Sequence, residues 1–212
     1  ILSPWQCNAV ENEEGKIIEL GSNPAPYREP YILTGKRGGE ITAFFYEPSL
    51  ASGISFGHYL RNADSLYSTL LDIKNRDKSP IIHTATDGEI YGHHEPYGDM
   101  ALAALIKKVN DGDDFIFDNY GSYMAKHPAT KHAVLRKGEE GKGTSWSCSH
   151  GVSRWYKDCG CHTGGDEGWN QKWRTGLRNA LNNLGDKIDA IFSREIDIIF
   201  KGQLSSQDLL IE

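Results

Sequence analysis

The stretch from Pro80 to Leu105, PIIHTATDGEIYGHHEPYGDMALAAL, crowds Asp87, Glu89, His83, His93 and His94 into one strand-to-helix junction. Alternate side chains of an extended segment share a face, which sets Asp87 and Glu89 about 6–7 Å apart at Cα. Two carboxylates beside one cleft suit proton transfer to a leaving oxygen, or metal binding. Gly88 and Gly92 permit a tight backbone and a close ligand. The histidines add metal ligands or pH-sensitive donors. Asp-Gly is also ordinary turn chemistry, and adjacent histidines do not easily grip one ion. Each residue alone reads equally well as structural; the cluster reads as a site. A carbohydrate hydrolase fits it. So does a metal-dependent, deacetylase-like hydrolase, for which His83, Asp87, His93 and His94 form the ligand pool.

A second cluster lies downstream. Cys148, His150, Cys159 and Cys161, with His162 beside them, supply soft ligands adequate for a closed tetrahedral zinc site. Their spacing lacks the Cys-x-x-Cys knuckle of common zinc modules. A Cys148–Cys159 or Cys148–Cys161 disulfide, or plain buried thiols, fit the same residues. Cys7 stands apart and reads as packing. The same region holds Trp146, Trp155, Trp169 and Trp173, whose indole faces suit the apolar C–H faces of sugars. Trp173, four residues after Trp169, reads as a core position of a helix. Arg154 serves a sugar hydroxyl and a structural carboxylate equally.

These residues need elements to position them. Residues 8–40, rich in Gly, Pro and charge, read as an irregular excursion. A strand is expected over Gly39–Pro48, a short helix over Ser49–Leu60, and a stronger one over Asn62–Asn75 capped by Asn62 or Asp64. Pro80–Ala85 reads as a buried strand and Gly98–Asn110 as a helix. Asp114–Pro128 suggests a short strand, an Asp118 cap and a short helix. Lys131–Gly143 reads as a loop. From Trp169 a long helix is expected, with Trp173, Leu177, Leu181, Leu184, Ile188, Ile191 and Phe192 in register. Alternation of strands and helices predicts an α/β fold with parallel strands, its chemistry on the loops at their carboxyl ends.

Bulk properties exclude several classes. The net charge of −6 argues against nucleic acid as a partner. No apolar run reaches the roughly 18–20 residues of a membrane helix. With no secretion signal, reduced thiols in the cytoplasm are the default. Ile1-Leu2-Ser3-Pro4 reads like the end of a strand, which suggests a piece of a longer protein.

HTATDGEIYGHH resembles the fourth signature region of glycoside hydrolase family 57, where an Asp-Gly-Glu motif ends a barrel strand. ILSPWQC, AFFYEPSLASGISFGHYL and TSWSCSHG with GWNQKWRTGLRNAL are similar to further segments of that family, in its bacterial branch with an appended domain of unknown function. The likeness runs from Ile1 to about Phe192. It implies part of an incomplete seven-stranded parallel (β/α) barrel followed by a long C-terminal helix. On that reading 1–212 is one domain: barrel elements over 1–130, a Trp/Cys-rich cleft loop over 131–170 and the helix over 169–200.

The resemblance further implies action on α-glucans by a retaining mechanism. Asp87 falls on the acid/base position, and Glu89 is a candidate for the neighbouring charge that keeps it protonated. Trp146, Glu89, Tyr91, His94 and Trp155 become the sugar-binding residues. No Glu of this sequence sits in the nucleophile motif, whose place lies upstream of Ile1. Alone, the chain is expected to be inactive, or to be a noncatalytic glycan-binding or structural remnant. No cofactor is required, and the Cys148, His150, Cys159 and Cys161 cluster is a candidate for a structural zinc. The implied partners are an oligo- or polysaccharide and the N-terminal remainder of the barrel.

Overall fold

A computed structural model describes residues 1–77, 80–161 and 164–201. The chain divides into two compact units, Ile1–Arg136 and Lys137–Glu212.

The first unit is built on a five-stranded sheet of β1 (Cys7–Glu11), β2 (Ile17–Glu19), β3 (Tyr31–Thr34), β4 (Glu40–Ala43) and β5 (Lys131–Leu135), in the order β2-β1-β5-β3-β4. Two tight hairpins determine most of its pairing. The Asn12 side chain accepts from the backbone N–H groups of Glu14 and Lys16, turning β1 back onto β2. A Gly35–Gly39 backbone hydrogen bond of 2.7 Å closes the β3–β4 hairpin. Strands joined by such short turns must run antiparallel. β5 then inserts between β1, antiparallel, and β3, parallel, in register Tyr31 with Lys131.

The sheet is therefore mixed, and the parallel (β/α) barrel expected from the sequence is not what these residues form. All four helices of this unit fall between β4 and β5 in the chain, instead of one after each strand. That order removes the strand–helix repeat a barrel needs. Residues 8–40 hold three strands where an irregular excursion was expected. β5 likewise occupies ground read as loop.

Pro80–Thr86 supplies a second correction. Its β-branched run belongs to no strand among the described residues. It is tied to the unit through the Glu47 N–H, which donates to the His83 carbonyl at 2.9 Å.

The helices are α1 (Pro48–Phe56), α2 (Ala63–Asp77), α3 (Gly98–Asp111) and α4 (Tyr120–Lys126). Buried Glu47 caps α1, its carboxylate accepting from the Leu50 N–H and the Ser49 hydroxyl. Asn62 caps α2 through the N–H groups of Asp64 and Ser65. Asn119, rather than Asp118, caps α4; Asp118 is engaged by Lys126 instead. Leu50, Ile54, Leu60, Leu66, Ile73, Ile90, Leu105 and Val109 form one core between α1, α2 and α3. Cys7, Val10, Ala25, Tyr31, Phe45 and Ala133 form a second against the sheet.

In the second unit, short 3-10 turns at Glu139–Gly141 and Gly151–Trp155 precede a long helix, α5 (Trp173–Phe200). Ser153 is fully buried, its hydroxyl donating to Glu139, and Lys157 bridges Glu139 and Glu140 at 2.8 and 3.0 Å. Arg174 and Arg178 of α5 donate to the carbonyls of Arg154 and Trp155. No described helix is long and apolar enough to cross a membrane.

Candidate acid loop and metal centre

In the first unit, Asp87, itself extended, leads into a 3-10 turn, Gly88–Ile90. Ile90 anchors the turn in the helical core. Gly98 lets α3 start tight against it, since a Cβ there would stand 3.2 Å from Leu60 Cδ1 and 3.3 Å from the Ile90 carbonyl.

Charges in this loop are mostly paired. Buried Glu95 accepts from Arg61 Nε at 2.7 Å and meets His58 Nδ1 at 2.5 Å. Those two partners, Arg61 first, hold its carboxyl below the usual glutamate range. Glu89 is exposed and faces His94 at 3.4 Å. The Tyr91 hydroxyl lies 3.1 Å from Thr86 Oγ1. The His93 and His94 rings meet edge to face. Asp87 is exposed, and no described residue hydrogen-bonds its carboxylate.

His83 does not join this loop. Its Nδ1 lies 3.1 Å from the Tyr120 hydroxyl, and burial lowers its pKa to about 4, so the ring is neutral. It lines a separate cleft of about 720 Å3 with Ile82, Phe115, Tyr120, Tyr123 and His127. Among the described residues His83, Asp87, His93 and His94 do not gather into a ligand set.

The second unit brings Cys148, His150, Cys159 and Cys161 together, their ligand atoms all within 4.8 Å of one another. Cys148 Sγ is 3.7 Å from Cys161 Sγ and 3.8 Å from His150 Nδ1, which is 3.2 Å from Cys161 Sγ. Ligands about 2.3 Å (S) and about 2.0–2.1 Å (N) from a tetrahedral zinc are separated by about 3.5–3.8 Å. The three separations lie near that range, and the four side chains together could hold a metal ion. No sulfur is bonded to another, and all four cysteines are thiols. Hydrogen bonding to the Cys148 and Cys159 sulfurs, with burial adding to it, pushes the Cys161 thiol up to about 11.

Glycines shape this loop. Gly151 turns the chain after His150 with φ +65°, and a Cβ there would lie 2.6 Å from the Gly143 carbonyl. Gly160, at φ +79°, folds Cys159 and Cys161 toward the same centre. His162 lies outside the described residues.

Trp146 and Trp155 are exposed on this loop, with the Arg154 guanidinium 5.9 Å from the Trp155 ring. Trp173 is exposed rather than core. With Trp169, Asn170, Gln171 and Arg174 it lines an open recess of about 780 Å3. The sequence reading passed over this recess; its signal was the pair of indoles one helical turn apart in WNQKW, with amides between them.

Two comparisons bear on the chain. The family described as a domain of unknown function, DUF3536, matches residues 169–212, which include the recess tryptophans and α5. This agrees with the appended domain expected from the resemblance, and it assigns no glycoside hydrolase family. No curated protein matches the chain.

Proposed function

We propose that this chain is part of a protein that binds and processes α-glucans, with Asp87 as the general acid/base. One observation carries the reading: in a loop where Glu89 and Glu95 are both engaged by partners, Asp87 alone among the carboxylates is left without one. The family 57-like motif around it adds support; the fold does not, since the sheet is mixed. In a retaining reaction Asp87 gives its proton to the glycosidic oxygen as the bond breaks, then takes one from the attacking water or sugar hydroxyl. The reaction needs a second carboxylate about 5 Å away as nucleophile. Glu89 and Glu95 are committed elsewhere, so the nucleophile comes from outside these residues. Tyr91 and His94, on the same loop, orient the sugar.

In the same reading, a structural zinc at Cys148, His150, Cys159 and Cys161 holds the tryptophan-rich loop in shape. A cytoplasmic setting suits its four free thiols.

A second reading, noncatalytic glycan binding, draws on the exposed Trp146, Trp155, Trp169 and Trp173, which need no acid. Maltooligosaccharides, offered to this chain together with the polypeptide segment that supplies the nucleophile, separate the two. Chain-length redistribution that disappears in Asp87→Asn, with binding retained by calorimetry, supports the enzyme. Binding without redistribution in either protein supports the second reading. Absence of both binding and turnover overturns both.

A further inference from the structure

We propose that the cleft beside His83 is a binding site for an uncharged, planar heteroaromatic molecule. It lies apart from the acid loop and does not depend on the role given to Asp87.

Size and walls supply the first argument. All the lining residues fall between Leu70 and His127, inside the first unit. A volume of about 720 Å3 is that of a small-molecule site. Leu70, Ile82 and Val109, with Phe115, Tyr120 and Tyr123, give it aliphatic and aromatic walls that favour an apolar face.

Charge narrows the class. Lys74 is held by the Asp114 carbonyl at 2.7 Å and by its carboxylate at 3.4 Å, and Lys126 by Asp118 at 3.0 Å. What remains among the lysines and aspartates is Asp113, which is exposed and negative. It repels an anion, and in water it gives a cation little. His83 is neutral and already meets Tyr120.

The open hydrogen-bonding groups are few. Tyr123 is only 9% exposed, yet its hydroxyl has no hydrogen-bond partner among the described residues and is not sealed in the core. The ring packs against Phe44 and His127, with centroids 6.1 and 4.7 Å away, which fixes the hydroxyl in place. A phenol this buried ordinarily satisfies its hydroxyl within the fold. This one is left for a molecule in the cleft. Asn119 adds a second group. Its side-chain oxygen accepts from the Ser122 N–H at 2.9 Å, so the amide NH2 is left to donate. A saccharide would bury many hydroxyls against walls that do not answer them. A flat ring system with a donor and an acceptor on one edge meets Tyr123 and Asn119 and lays its faces on the apolar walls.

The test uses indazole, which is neutral and carries such an edge, alongside its carboxylate derivative. Titrated into the whole protein by calorimetry, indazole binds about tenfold tighter or better than the carboxylate. Excess maltose does not displace it. Tyr123→Phe removes only the hydroxyl; it weakens indazole about fivefold and leaves the melting temperature unchanged. Asn119→Asp keeps the helix cap, loses the donor, and weakens binding as well. No saturable binding of indazole would overturn the proposal, as would equal affinity in wild type and Tyr123→Phe. Displacement by maltose would also overturn it, and would assign the cleft to the glucan.

Discussion

His150 Nδ1 lies 3.2 Å from Cys161 Sγ although eleven residues separate them, because the turns at Gly151 and Gly160 fold both side chains inward. Such convergence of one imidazole and three sulfurs makes metal content the first quantity to measure. Protein purified under reducing conditions is expected to carry one zinc per chain by elemental analysis. Cys148→Ser and Cys161→Ser should each lose most of it, and a chelator should lower the melting temperature of the second unit and shift its tryptophan emission. A metal-free preparation that melts at the same temperature with and without added zinc would refute the site.

Glu95 makes a different demand on pH. Its carboxyl is lowered by Arg61 and His58, so it stabilises the fold above the ordinary glutamate value near 4.5, and that contribution fades as pH falls through the folded-state value. Glu95→Gln should melt several degrees below the wild type at pH 7. The gap should narrow steadily below about pH 4.5. A gap that stays constant through this range would show that the ion pairs contribute nothing.

Burial of His83 works in the same direction over a higher window. Its pKa drops to about 4, so the unfolded chain takes up a proton from about pH 6.5 downward while the native ring stays neutral. Stability should fall by at most about 3 kcal/mol between those two values and level off below the lower one. His83→Phe keeps the edge contact with Phe44 and should flatten that slope. Denaturant titrations at intervals across the window provide the check.

Sugar stacking distinguishes the tryptophans. Trp146→Ala and Trp169→Ala are each expected to weaken maltooligosaccharide binding about tenfold without altering the melting temperature, since both rings are exposed. Calorimetry on folded variants would decide; unchanged affinity in both would remove the indoles from the binding surface.

What the sequence disclosed followed from local rules. Leu66, Leu70 and Ile73 at helical spacing behind Asn62 were enough for α2, and the crowding of Cys148, His150, Cys159 and Cys161 into one short stretch was enough to suspect a metal. The sheet was hidden because its decisive pairing joins Tyr31 to Lys131, which no local pattern announces. Lys131 disguised β5 further: a charged residue in a central strand looks like a loop until its ion pair with Glu29, at 2.8 Å, is seen. Pro80–Thr86 misled in the opposite sense, being β-branched in composition yet unpaired in the sheet. Trp173 read as core because periodicity reports which side chains share a face, never whether anything covers that face.

One consequence follows from the place of β5. The central strand of the sheet is the last of its strands to leave the ribosome, after all four helices. Until then β1 with β2, and β3 with β4, exist as two separate hairpins without a common neighbour, and isolated hairpins barely persist in water. The nascent first unit must therefore wait for Leu135 before it closes, which makes its maturation slow and leaves its two hairpins open to chaperones until then.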